Sequence, residues 1–141
     1  MKVLIVGGGG REHAIAEKLL ENKSIDQLYA APGNGGMAAI ATCLPMKATD
    51  IQRITDFCKA EKMDFVVVAP DDPLCLGLVD MLREAGIPAF GPEKKAAVIE
   101  GSKVFSKSLM KKYGIPTAAY EVFDQYDLAM AYVQTAALPM V

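Results

Sequence analysis

The chain has 141 residues, 52% of them apolar and 23% charged, with a formal net charge of -2. That length buries one core and at most the start of a second. The charge balance offers no electrostatic footprint for nucleic acid, and Lys and Arg interspersed with Asp and Glu leave no basic face for a membrane, so neither partner is expected.

Cys43, Cys58 and Cys75 are far apart and in no metal-ligand spacing, and with one His in the chain no zinc site is expected. Free thiols suit a reducing compartment. Met1 to Val6 is too short for a signal peptide or a membrane span, so a cytosolic address is expected.

In chain order, Lys2 to Val6 is a β-branched run closed by Gly7 and predicts a buried strand. Arg11 to Asn22 predicts a helix with Ile15, Leu19 and Leu20 inward and Glu17, Lys18 and Glu21 opposite. Leu28 to Ala31 predicts a second strand, ended by Pro32 and Gly33. Asp50 can cap a helix that carries Ile51, Ile54, Phe57 and Cys58 on one face. Phe65 to Ala69, apolar throughout, predicts a strand covered on both faces. Asp72-Pro73 reads as the N-cap and first position of one helix running through Leu74, Leu78, Val79 and Leu82 to a stop at Gly86. A short strand at Pro88 to Phe90, then Gly91-Pro92 and a short helix, completes a strand–helix alternation. The expected fold is α/β: a Rossmann-like parallel sheet with helices on both faces, over residues 1–100.

From 101 to 141 the pattern changes. Ser102 can cap a helix over Lys103 to Lys112, stopped by Gly114 and Pro116. Ala119 to Phe123 predicts a strand, Asp124 can cap another helix, and Leu138 to Val141 reads as the start of a further strand. One strand–helix pair does not bury its faces alone, so a truncated second domain is expected here.

Gly7-Gly8-Gly9-Gly10 lies between the first strand and the first helix, where open parallel sheets hold ligands. A tight turn needs one or two glycines; four, beside the free N–H groups of a helix start, favour an anion site. The dinucleotide pattern fits Gly7 and Gly9 but meets Glu12 at its third glycine, and Tyr29, Ala30 and Ala31 stand where its acidic residue belongs. No Gly-Lys-Ser/Thr follows, so the loop suits one phosphate better than NAD or a P-loop nucleotide. Arg11, a cation in a first helical turn, is unfavourable unless an anion binds beside it; a solvated side chain or an ion pair with Glu12 is the plain alternative. Glu12 stabilises a helix start with or without a ligand. His13 has no carboxylate partner within sequence reach and is left out of the site.

Two further loops fall at the same edge, Ala31-Pro32-Gly33-Asn34-Gly35-Gly36 and Ala69-Pro70-Asp71-Asp72-Pro73. Asn34 can reach a sugar hydroxyl, though beside glycines it reads first as a turn residue. With Asp72 taken up as a cap, Asp71 remains for ribose hydroxyls or an amine.

Gly8-Gly9-Gly10-Arg11-Glu12-His13 resembles the opening of the phosphoribosylamine–glycine ligase (glycinamide ribonucleotide synthetase) family. Ala31-Pro32-Gly33-Asn34, Pro70 to Leu74, Phe90-Gly91-Pro92, Glu100-Gly101-Ser102-Lys103 and Lys107 to Ala118 follow in the family's order. The resemblance implies an ATP-grasp ligase of purine biosynthesis, joining 5-phosphoribosylamine to glycine with ATP and Mg²⁺ through an acyl phosphate. It implies a substrate set of Gly8, Gly9, Gly10, Arg11, Glu12, Asn34 and Asp71, and Lys103 on the ATP phosphates, although Lys103 beside Lys107 and Lys111 otherwise reads as a solvated face. The remaining nucleotide and Mg²⁺ ligands are expected beyond residue 141. Asp71 stands where the family often has Glu, so a bridging water could replace a direct contact. The alternatives are a nucleotide- or NAD-binding Rossmann module without chemistry, and another ATP-grasp ligase such as a biotin-dependent carboxylase.

Overall fold

Strands β1 (Lys2–Gly7), β2 (Gln27–Pro32), β3 (Thr42–Cys43), β4 (Phe65–Val68) and β5 (Ala89–Phe90) form one sheet in the order β3-β2-β1-β4-β5. All four pairings are parallel, and Val6 stands opposite both Ala31 and Val68. The description comes from a computed structural model and covers residues 1–140. By packing, the chain divides into two units, Met1–Ser102 and a second from Lys103 onward.

Residue alternation on β1 divides the first unit's core. Val3 and Ile5 face helix α1 (Gly10–Leu20) and cluster with Ala16, Ala30 and Met37. Leu4 and Val6 face the other way and cluster with Ile54 of α2 (Ile51–Ala60) and with Leu78 and Leu82 of α4 (Leu78–Glu84). Each fully buried Val, Leu, Ile or Met among them contributes about 1.5–3 kcal/mol. The expected Rossmann-like α/β fold, helices on both faces of a parallel sheet, is present.

Several local expectations are corrected. On α1 the inward face is Glu12 and Ala16, with Ile15 and Leu19 half-buried, while Leu20 is exposed. The helix expected with Asp72 as cap and Pro73 as first residue begins two residues earlier and is two helices, α3 (Asp71–Leu76) and α4. Pro70 holds the N-cap position, so Asp72 is not the cap. Gly77 breaks the run in a left-handed conformation, φ 97°, which a side chain would resist. Gly86 (φ 74°) does close α4, its N–H meeting Arg83 O while Ile87 N–H meets Leu82 O at 2.9 Å. Asp50 sits at the N-cap of α2 without a side-chain hydrogen bond. The edge strand β3 and a short 3-10 turn at Met37–Ala39 went unpredicted.

After α5 (Lys94–Gly101), the second unit holds α6 (Lys103–Lys112) and α7 (Tyr126–Thr135). Gly114 (φ 64°) ends α6 as expected. The N-cap of α7 is Gln125, not Asp124. Ala119 to Phe123 is not a strand, because it has no neighbouring strand to pair with. The segment before it is fastened instead by Lys107, whose ammonium donates to Thr117 Oγ1 (2.7 Å) and Ala118 O (3.1 Å). Leu138 to Met140 is not strand either, and Val141 lies outside the described residues. No helix among the described residues is long and apolar enough to cross a membrane.

Candidate functional site

Because every strand runs the same way, the loops after β1, β2 and β4 gather at one edge of the sheet. They meet at Gly7, the last residue of the central strand. Its φ of 122° is left-handed, and an added Cβ would stand 2.6 Å from Glu12 Cγ and 2.9 Å from Pro70 Cγ. Gly33 N–H donates to Gly7 O at 3.1 Å, and Asn34 Nδ2 donates to Gly8 O at 3.0 Å. A Cβ on Gly8 would lie 2.4 Å from Gly33 O. The β2 loop is therefore laced directly onto the glycine loop.

Glu12 occupies the third helical position of α1 and its carboxylate reaches back to the helix start. Oε2 accepts the Gly9 N–H at 2.6 Å, half of a capping box. The side chain is buried, and a Cβ on Gly9 would press on Oε2 at 2.7 Å. Packing thus explains Gly7, Gly8 and Gly9 without a ligand. Gly10 is different: nothing lies within 4 Å of where its Cβ would be. At the first helical position its N–H has no intrahelical acceptor.

Arg11 is three-quarters exposed, with Nε 3.9 Å from Glu12 Oε1, beyond hydrogen-bond reach. Asn34 uses both ends of its amide: Nδ2 on Gly8 O, and Oδ1 accepting the Met37 N–H at 2.9 Å. It is first a clamp between loops, with one amide hydrogen left over. Asp71 and Asp72 are exposed in the first turn of α3. Gly8 to Glu12, Asn34 and Asp71 thus share the carboxyl edge of the sheet. Lys103 is exposed at the start of α6, in the other unit.

The sequence reading missed two residues. His13 does have a carboxylate neighbour, one helical turn on: Nε2 lies 3.7 Å from Glu17 Oε1. Its ring also covers Gly36, where a Cβ would stand 2.4 Å from Cε1, so His13 buttresses the Asn34 loop. The i to i+4 spacing was the available signal. Gly91 (φ 142°) brings the loop after β5 against Leu74 and Val79, at 2.8 and 3.0 Å from an added Cβ. Among the described residues, no three His, Cys, Asp or Glu side chains gather as they would around a metal ion.

Residues 1–100 match the model of the phosphoribosylglycinamide synthetase N domain, and residues 101–141 that of the ATP-grasp (A) domain of the same synthetase. The chain belongs to the phosphoribosylglycinamide synthetase family. Phosphoribosylamine–glycine ligases from Halalkalibacterium halodurans and Agrobacterium fabrum are 45% and 50% identical to it over all 141 residues. The chain spans 33% of the length of each of these two relatives. A crystal structure of phosphoribosylamine–glycine ligase from Thermotoga maritima aligns with TM-score 0.66 and 29% identity, over 97% of this chain and 31% of that one. A biotin carboxylase domain aligns almost as well, with TM-score 0.65 over 94% of this chain and 34% of that one, at 18% identity, which shows the fold alone. Fold alone does not separate this family from that domain.

Proposed function

We propose that this chain is the acceptor-substrate part of an ATP-dependent ligase that joins 5-phosphoribosylamine to glycine in purine biosynthesis. The observation that carries the reading is the match of residues 1–100, glycine loop included, to the synthetase N domain. On this reading residues 1–100 are the substrate-binding domain and 101–141 the start of an ATP-grasp domain.

The Gly10 N–H and its neighbours at the start of α1 take the phosphate, joined by the Arg11 guanidinium. Gly8 and Gly9 keep the backbone low enough for the ligand to approach. Asn34 offers its spare amide hydrogen, and Asp71 accepts from a ribose hydroxyl or the amine, directly or through a water. Lys103 meets the nucleotide phosphates. The glycine carboxylate takes the γ-phosphoryl group of ATP, releasing ADP, and the sugar's amine displaces phosphate from that acyl phosphate, losing a proton. The chain's own residues serve to position the amine and neutralise charge. Mg²⁺ as cofactor, with its ligands outside this chain, and a cytosolic location belong to the same proposal. Alone, the chain is expected to give no ADP release above the blank with 5-phosphoribosylamine, glycine and ATP.

The test is an amide NMR titration with ribose 5-phosphate, with NAD in parallel. Shifts confined to Gly7–Glu12 and Asp71 with the sugar phosphate alone are expected. Shifts with NAD alone would replace this reading by the dinucleotide module.

A further inference from the structure

Capping α1 needs one oxygen of Glu12, and Oε2 supplies it. The other, Oε1, is buried on a side chain only 4% exposed and has no hydrogen-bond partner among the described residues. Arg11 Nε, at 3.9 Å, is near enough to attract it but too far to donate to it. A buried carboxylate oxygen without a donor carries an uncompensated desolvation cost, and folded proteins rarely retain one for packing alone. Capping therefore does not account for Oε1.

The surroundings have two polarities. The N–H groups that open α1 call for an anion, whereas Oε1, beside them, calls for a donor. A bare phosphate answers only the first. A phosphate ester that also carries hydroxyl or amine hydrogens answers both. We propose that Glu12 Oε1 accepts a hydrogen bond from a hydroxyl or amine of the bound phosphosugar, so that the loop selects such esters over phosphates lacking donors. This rests on the phosphosugar reading above and assigns Glu12 a specificity role within it. Oε1 is closed to solvent with Arg11 Nε 3.9 Å away, so the proposal includes a movement: Arg11, three-quarters exposed, swings onto the phosphate and opens Oε1 to the ligand.

The test compares ribose 5-phosphate with methyl phosphate, which has the anion but no donor of its own beyond the phosphate group. Both are titrated against the 141-residue chain and its Glu12→Gln variant, following backbone amides and the Glu12 side-chain carboxyl ¹³C resonance. The unaltered chain should prefer ribose 5-phosphate by roughly tenfold, the order of one hydrogen bond to a charged group. Its Glu12 carboxyl resonance should move with that ligand only. Glutamine still accepts the Gly9 N–H but turns a neutral NH₂ toward the ligand in place of a charged acceptor, so the variant should show a smaller preference for ribose 5-phosphate over methyl phosphate, which gains from the loss of a neighbouring negative charge. If Glu12→Gln does not fold, the carboxyl resonance of the unaltered chain decides alone. Equal affinities in the unaltered chain, an unmoved carboxyl resonance, or equal loss of both ligands in the variant would overturn the inference and leave the phosphosugar site standing. No shift at Gly8–Glu12 with either ligand would overturn the site itself.

Discussion

The unit built on the parallel sheet and the unit from Lys103 onward have comparable apolar content but very different interiors. Among the described residues, every buried apolar side chain, from Val3 to Ala97, lies in the first. In the second, none of the described residues is buried, and Val104, Leu128 and Tyr126 stand 51%, 53% and 76% exposed. The difference lies in what each pattern packs against. An amphipathic helix gains stability from an opposing apolar face, and a sheet supplies two of them. Among the described residues, helices α6 and α7 have no sheet in their own unit.

The sharpest way to break that comparison is to delete equivalent side chains in each unit. Leu82→Ala removes a fully buried side chain and should cost about 2–5 kcal/mol. Leu128→Ala should stay within about 0.5 kcal/mol. Urea unfolding followed by circular dichroism measures both. A Leu128 cost equal to that of Leu82 would mean that α7 is covered in solution.

The same contrast governs what was legible in the sequence. Residues Lys2 to Val6 and Phe65 to Val68 were readable as strands because continuous β-branched runs pack on both faces of a sheet. Ala119 to Phe123 carries a similar local pattern, yet strand formation depends on a partner that no local window contains. Gly77 was visible as a glycine inside a helical pattern, but local spacing does not tell a tolerated glycine from a left-handed break. At the site, the edge on which the loops gather followed from the strand–helix alternation. The burial of Glu12 did not, because it depends on the bare Gly7 backbone leaving room for its side chain. Asn34 read as a turn residue, and the structure adds what the turn is tied to, Gly8 O.

Glycine substitution carries the comparison to the backbone. Gly7→Ala in the first unit meets both a left-handed φ and a Cβ within 3 Å of Glu12 and Pro70. The conformation alone costs about 1–3 kcal/mol, and the collision adds to it. Gly114→Ala in the second unit has φ +64° but nothing within 4 Å, so it should cost only the left-handed penalty, about 1–2 kcal/mol. Thermal melts of the two variants should rank in that order; the reverse ranking would show that the Gly7 turn relaxes freely.

Alkaline pH probes the core of the first unit, which holds all three cysteines. Burial among Leu4, Ile54 and Met63 pushes the Cys58 thiol up to about 12 from 9.0. A raised acid keeps its proton when folded, so its contribution is intact below pH 9.0 and is lost as pH rises towards about 12. The loss is at most about 1.4 kcal/mol per pH unit. Cys58 should accordingly resist a disulfide reagent at pH 8 until the first unit unfolds, while half-buried Cys43 and Cys75 react earlier. Equal rates for all three would show that the core around α2 opens locally.

A small expected change in stability, of stabilising sign, is the most informative about function. Gly10 stands at the first helical position of α1, with no left-handed φ and open space where its side chain would be. Judged by folding alone, Gly10→Ala is favourable: it narrows the unfolded ensemble and should stabilise the chain by about 0.4–1 kcal/mol. The proposed phosphate, however, occupies the space into which that methyl group would project. The variant should therefore melt slightly higher and bind ribose 5-phosphate more weakly. That pairing distinguishes a glycine kept for a ligand from one kept for the turn, since loss at a packing glycine such as Gly7 lowers both quantities together. A Gly10→Ala chain that gains stability and binds the sugar phosphate unchanged would move the phosphate away from the start of α1, and the Arg11 assignment with it.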